Sequence, residues 1–265
     1  MFTQKLKDGE HITKARLVAK GYEEKTSHSV RKDSPTCLKE NLRILFVVAA
    51  TLGWKVKSLD VRSAFLQGKE IERDVFLKPP EEADTLKLWK LKKALYGLND
   101  ASRQWYLEVR KSLMNLGVKA CVCDEAFFYW HCDGKLCGLM AVHVDDFVNA
   151  GNDDFSDGVV GELKRKYESK SEEENVFKYL GLQIDQDQEL ECITMQQKYY
   201  IESLKCIKTR NVGKHENLSQ QEFTNLRSTL GQLAWVSNQT RPDIAFQVCQ
   251  VSVNIKNATI EDVCV

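Results

Sequence analysis

Three aspartates define the chemistry open to this chain. Asp145 and Asp146 are adjacent within the apolar run Ala141-Val142-His143-Val144-Asp145-Asp146-Phe147-Val148, and Asp60 lies within a second, Leu59-Asp60-Val61-Arg62-Ser63-Ala64-Phe65-Leu66. Apolar and β-branched neighbours of this kind mark a buried strand or a tight strand-turn-strand. A carboxylate buried there is costly without a partner. The basic residues nearest to the pair in the chain are Lys135 and Lys164, so a divalent cation is the expected counter-charge, because hard cations take carboxylate oxygens. Taken alone, the pair also suits the tip of a hairpin, where Asp is common. The second run turns the reading toward catalysis. Two strands that each present Asp can hold a pair of Mg²⁺ ions about 4 Å apart, the arrangement for in-line phosphoryl transfer. Mg²⁺ takes one or two carboxylates plus substrate phosphates, so three aspartates suffice. His143, alone beside them, reads as a packed strand residue.

Composition limits the alternatives. Of 265 residues, 43% are apolar and 29% charged, enough for a sizeable core in one large domain or a few lobes. Lys and Arg balance Asp and Glu at 38 each, which argues against a general polyanion binder and assigns any nucleic-acid contact to local basic clusters. The nine cysteines are odd in number and follow no disulfide spacing, so they read as reduced. His131, Cys132 and Cys137 lack the second pair that a zinc site needs. No apolar run approaches the roughly 18 residues of a membrane span. The abrupt ends suggest a piece cut from a longer polyprotein.

The elements that must position the aspartates follow in order. Residues 3–20 read as a hairpin turning at Asp8-Gly9, with Lys14, Arg16 and Lys20 on an exposed face suited to phosphate. Residues 36–53 form a helix, capped by Thr36 or Ser34 and stopped by Gly53. Strands are expected over 55–61, 74–78 and 86–91, with a turn over 63–68. A second long helix runs from Ala101 to Leu116, with Trp105, Val109 and Leu113 on one face. Asp133-Gly134 marks a hairpin whose second strand leads into the aspartate pair. A helix over 156–169, an acidic loop over 171–175, a bend or strand pair over 177–184 and a strand over 190–195 follow. Helices over 197–207, 220–238 and 244–253 complete the chain. Hairpins mixed with helices imply an α+β fold.

The ordered set of motifs resembles the reverse transcriptase domain of copia-type retrotransposons. The matching stretches are Lys14-Ala-Arg-Leu-Val-Ala-Lys-Gly21, Leu59 to Leu66, Leu91-Lys-Lys-Ala-Leu-Tyr-Gly-Leu98, Ala101-Ser-Arg-Gln-Trp-Tyr106, Val144-Asp-Asp146, Tyr179-Leu-Gly-Leu182 and Thr240-Arg-Pro-Asp-Ile244. The resemblance implies a right-hand polymerase of fingers, palm with an antiparallel sheet, and helical thumb. It places fingers at about 1–54 and 69–100, palm at about 55–68 and 101–190, and a truncated thumb or start of a connection at 191–265. It implies Asp60, Asp145 and Asp146 as catalytic and metal-holding, with the Val61 backbone as a further ligand to two Mg²⁺ ions, or Mn²⁺ in their place. Lys14, Arg16, Phe65, Tyr96 and Gly97 would meet the nucleotide, Phe65 as an aromatic gate against a ribose 2′-hydroxyl. Tyr179, Leu180 and Gly181 would meet the primer, and Arg227, Gly231 and Trp235, at i, i+4 and i+8 of one helix, the duplex minor groove. The implied partners are a primed RNA or DNA template and deoxynucleoside triphosphates, with no membrane and an intracellular setting, a cytoplasmic particle or the nucleus. Two other readings stay open: a decayed transposon fragment that only binds nucleic acid, and another palm-type enzyme such as a nucleotidyl cyclase.

Overall fold

A computed structural model describes residues 2–7, 10–24, 30–80, 83 and 87–263, with backbone only for those among 2–12, for Lys14 and for Lys170. The chain forms two compact units, Met1–Asn175 with Gln186–Ile193, and Val176–Asp185 with Thr194–Val265. The 176–185 segment, expected with the palm, therefore groups with the C-terminal residues. No helix among the described residues is long and apolar enough to cross a membrane.

The first unit opens with a hairpin of β1 (Phe2–Lys7) and β2 (Glu10–Ala15); its expected Asp8-Gly9 tip lies outside the described residues. Then come α1 (Lys39–Leu52), β3 (Val56–Val61), the short helix α2 (Ala64–Gln67), and the small pair β4 (Phe76–Leu77) and β5 (Trp89–Lys90). They are followed by α3 (Ala101–Asn115), β6 (Lys119–Ala120), β7 (Phe127–Cys132), β8 (Lys135–His143) and β9 (Asp146–Gly151). A π-helical turn over Phe155–Val160 leads into α4 (Gly161–Lys166) and β10 (Ser169–Glu174). The six longer-range strands form one antiparallel sheet in the order β10-β3-β9-β8-β7-β6.

Alternation along the strands assigns its two faces. Leu59, Val61, Phe128, Met140, Val142 and Phe147 pack with Trp105, Val109 and Leu113 of α3 in one core. Leu139, Ala141, Val148 and Ala150 are buried as well and alternate with that set, so they belong to the opposite face, where α1 packs on β8 and β9.

The ends of the helices show what local sequence does and does not dictate. Gly53 closes α1 in the left-handed conformation at φ 62°, as its position predicts. The N-terminal cap of α1 is neither Thr36 nor Ser34. Asp124, only 6% exposed, supplies it from across the unit. Its Oδ2 accepts from the Leu38 N–H and from Asn41 Nδ2, each at 2.8 Å, while Oδ1 takes the Ala126 N–H at 3.0 Å. The helix expected over 156–169 stops at Lys166, and the expected acidic loop is instead the edge strand β10. Lysines pair with two of its glutamates: Lys57 lies 2.9 Å from Glu174, and Lys164 pairs with Glu172. A charged edge strand of this type resists pairing with another chain.

The second unit contains β11 (Val176–Tyr179), β12 (Leu182–Gln186), β13 (Ile193–Gln196), α5 (Lys198–Ser203), α6 (Gln220–Gln239) and α7 (Ala245–Val253). Ser219 and Glu222 form a reciprocal capping box at the start of α6. Leu226 and Leu230 pack on Val248 of α7.

The shared cap makes a prediction. Asp124→Ala removes a helix cap and strands buried donors, and should cost about 2 kcal/mol of stability in the first unit. Urea unfolding followed by tryptophan fluorescence measures it; a loss below roughly 0.5 kcal/mol would mean that water replaces the cap.

Candidate active site

The aspartate pair sits on a two-residue hairpin. β8 and β9 pair up to His143 opposite Asp146, leaving Val144 and Asp145 as the loop. Val144 has φ 56°, whereas Asp145 is not among the left-handed residues. This sign pattern is that of a type II′ turn, in which glycine normally takes the first central place. A β-branched residue there is strained, and such strain persists only where the surroundings enforce it. Two hydrogen bonds do so. The Trp105 Nε1–H donates to the Val144 carbonyl at 2.8 Å, and the Val61 N–H donates to the Asp145 carbonyl at 3.0 Å.

The neighbouring strand brings in the third carboxylate. Asp60 of β3 lies directly opposite Asp146 of β9, so their side chains share a face. That face is the one away from α3, because the alternate residues Leu59, Val61 and Phe147 fill the α3 core. Burial pushes the Asp145 carboxyl up, its own backbone N–H opposes this, the charge of Asp60 adds to the rise, and Arg16 and His143 pull it down. Burial also holds the His143 imidazole below its usual range. The donors gathered here are carboxylate oxygens, which suits a hard cation. Among the described residues, however, no group of three or more His, Cys, Asp or Glu side chains is gathered closely enough to hold a metal alone.

The residues expected at the nucleotide converge from separate elements. Tyr96 packs edge-to-face on Phe65, with ring centroids 4.7 Å apart, and the Arg16 guanidinium lies over the Tyr96 ring at 5.6 Å. Burial, then the charges of Asp145 and Asp60, raise the Tyr96 hydroxyl against the pull of Arg16. Phe65 is 7% exposed and belongs to the core. Lys14 lies in β2, but its side chain is outside the described atoms. Gly97, at φ 90°, admits a close backbone approach, but from within the chain: a Cβ there would stand 2.0 Å from the Ala19 carbonyl oxygen. Gly21 meets it from the other side, with its N–H on the Gly97 carbonyl at 3.2 Å and the Ala19 N–H on the Tyr96 carbonyl at 2.7 Å. This strap sets Arg16 over Tyr96. Gly21 within the first motif and Gly97 within the third were its traces in the sequence.

In the second unit, β11 and β12 turn at Leu180 and Gly181, both at positive φ, as a type I′ hairpin requires. Tyr179 is buried, Leu180 is exposed, and a Cβ on Gly181 would come within 2.9 Å of the Trp235 ring. Trp235 also packs edge-to-face on Tyr200 at 4.5 Å. The α6 row therefore divides: Arg227 and Gly231 are exposed, with open space beside Gly231, while Trp235 braces the hairpin tip.

A sequence profile of the family described as Reverse transcriptase (RNA-dependent DNA polymerase) matches residues 1–218. The Retrovirus-related Pol polyprotein from transposon RE1 of Arabidopsis thaliana is 36% identical over 176 residues, covering 64% of this chain and 12% of the relative. That from transposon RE2 of the same plant is 29% identical over 95% of this chain and 18% of its own length. That from transposon TNT 1-94 of Nicotiana tabacum is 28% identical over 92% of this chain and 20% of its own. The chain thus spans a fifth or less of these relatives. Among solved structures, a telomerase from Candida tropicalis overlays at a TM-score of 0.43 and 11% identity, covering 91% of this chain and 50% of that one, too loosely to support an argument. With its profile match running from the N-terminal hairpin to just short of α6, this chain belongs to the reverse transcriptase family, and its relatives are copia-type Pol polyproteins.

Proposed function

We propose that the chain is an RNA-directed DNA polymerase segment that extends a primer 3′ end by in-line phosphoryl transfer at Asp60, Asp145 and Asp146. The observation that carries this reading is the pairing of Asp60 with Asp146 across β3 and β9, beside Asp145 in the turn. Opposed carboxylates on adjacent strands repel, and two Mg²⁺ or Mn²⁺ ions would relieve this while acidifying the primer hydroxyl and balancing charge on the leaving pyrophosphate. In this reading Asp60, Asp145, Asp146 and the Val61 backbone hold the ions, and Arg16, with Lys14, binds the triphosphate. Tyr96 and Phe65 face the sugar, and Gly97 sets their backbone. The first unit supplies fingers and palm. The second supplies the thumb, with the Tyr179–Leu182 hairpin at the primer and α6 along the duplex through Arg227, Gly231 and the flank of Trp235.

Primer extension with dTTP and Mg²⁺ on a poly(rA) template primed with oligo(dT) tests this directly; a folded chain that binds the duplex without extending it would be a binding fragment. Asp145→Asn should abolish extension while preserving duplex affinity, which rests on Lys and Arg contacts to phosphate. Its stability has a predictable sign. A carboxyl raised on folding stabilises the native state only below its ordinary pKa, and that contribution is lost as pH rises through the raised value. Asn mimics the neutral form throughout, so without metal the variant should melt at or above the parental temperature at pH 7, with the difference shrinking toward pH 4. Parental extension by this variant would remove Asp145 from the site.

If Phe65 is the sugar gate, Phe65→Val should raise ribonucleotide over deoxyribonucleotide incorporation. An unchanged ratio in an active variant would leave Phe65 as core alone. Gly231→Ala gains roughly 1 kcal/mol in helix propensity and meets nothing nearby. It should keep or raise the melting temperature yet shorten the products made per binding event, measured with a trap for released enzyme. Parental product length would detach α6 from the duplex.

A further inference from the structure

We propose that Trp105 is a positioning residue whose indole N–H sets the Val144–Asp145 peptide, and so the direction from which Asp145 presents its carboxylate. The inference rests on the catalytic reading of Asp145 for its consequence, but on geometry alone for its cause. Rotating the central peptide of a two-residue hairpin interconverts the type II′ and type I′ forms. In the first, only Val144 has positive φ; in the second, Asp145 has it too, and its side chain leaves the strand from a different angle. Local sequence does not select the observed form. The type II′ turn favours glycine where Val144 stands, and Asp tolerates the left-handed conformation that type I′ would require of residue 145.

The group that distinguishes the two forms is the Val144 carbonyl, since it is the one that turns over. Trp105 meets it at 2.8 Å. The indole has a single donor, and with Trp105 only 1% exposed there is no bulk water to take its place. It reaches the turn from the α3 core, beneath the sheet, while Asp60 and Asp146 occupy the other face. The ring is itself braced. Tyr167 packs on it edge-to-face at 5.0 Å, and the Tyr167 hydroxyl shares a hydrogen bond of 2.7 Å with Ser112 Oγ. Lys166 Nζ donates to Ser112 Oγ at 2.6 Å and to Glu108 Oε1 at 2.7 Å. A polar network that runs from the buried Ser112 and Tyr167 to the exposed Lys166 thus holds the ring that holds the turn. Ser112 and Glu108 share α3 with Trp105, so the ring and its brace belong to one element.

Trp105→Phe keeps an aromatic ring and removes the donor. Turnover in primer extension should fall roughly 10- to 100-fold, the scale of a small misplacement of a reacting group. The KM for dTTP and the Kd for primed template should stay within about twofold, because the lost interaction acts on the transition state. Adding Val144→Gly should restore much of the lost turnover, since glycine takes the first position of a type II′ turn without strain. Parental turnover in Trp105→Phe, or a loss shared by Kd and left unrepaired by Val144→Gly, overturns the proposal. Two measurements do not depend on polymerase activity. A crystal structure of Trp105→Phe should show Asp145 at positive φ; an unchanged turn overturns the idea even if the chain never extends a primer. In the unaltered chain, the Trp105 indole proton should exchange with solvent far more slowly than that of exposed Trp89, and equal exchange rates would show that the bond does not hold. Should Asp145→Asn still polymerise, the catalytic reading fails while these two measurements stand.

Discussion

Two carboxylates directly opposite one another on adjacent strands repel, and the first unit is built to keep them there. The β3–β9 register places Asp60 against Asp146, a pairing that would be disfavoured on any sheet chosen for stability alone. What enforces it is hydrophobic. Because side chains alternate, holding Leu59, Val61 and Phe147 in the core with α3 leaves Asp60 and Asp146 no other face to occupy. A slip of β3 by one residue would turn Asp60 into the α3 core and take Leu59 and Val61 out of it. Burial of the turn also lifts the Asp145 carboxyl, so the apolar packing that holds the acids in place works against their charge.

Around this arrangement the chain uses backbone contacts over long sequence distances. The Val61 N–H on Asp145, the Trp105 indole on Val144 and the Asp124 cap on α1 each join elements that lie tens of residues apart. Such contacts carry little hydrophobic energy, but they remove freedom where a small displacement matters most.

The sequence revealed those features that depend on periodicity and on residues with one main use. Gly53 ending α1, Asp133-Gly134 at the β7–β8 turn and the Trp105, Val109 and Leu113 face of α3 all appear where pattern alone places them. The two aspartate runs were legible for the same reason, as acids in strands otherwise apolar. Other features depended on partners that the sequence does not announce. The glutamates of β10 read as a loop until Lys57 and Lys164 are seen beside them. Asp124 looks like a turn residue, yet it caps a helix that begins over 80 positions earlier. Gly97 was legible as a residue of the proposed site, but not that residues 18–21 pack against it. Trp235 was legible on a helix face, but not its contact with Gly181, because register between a helix and a distant hairpin leaves no local trace.

The strap between Gly21 and Gly97 has a consequence for how such a chain loses function over generations. At both positions a methyl group would overlap backbone atoms, at 2.2 Å from the Gly97 carbonyl oxygen in the first case and 2.0 Å from the Ala19 carbonyl oxygen in the second. Neither glycine touches the carboxylates, yet displacing either would shift Arg16 from Tyr96 and leave the acids intact. On the proposed reading, the target for inactivating substitution is wider than the chemistry, and three surviving aspartates are an incomplete mark of an active copy. The two glycines, which serve backbone packing, belong beside them in the diagnosis.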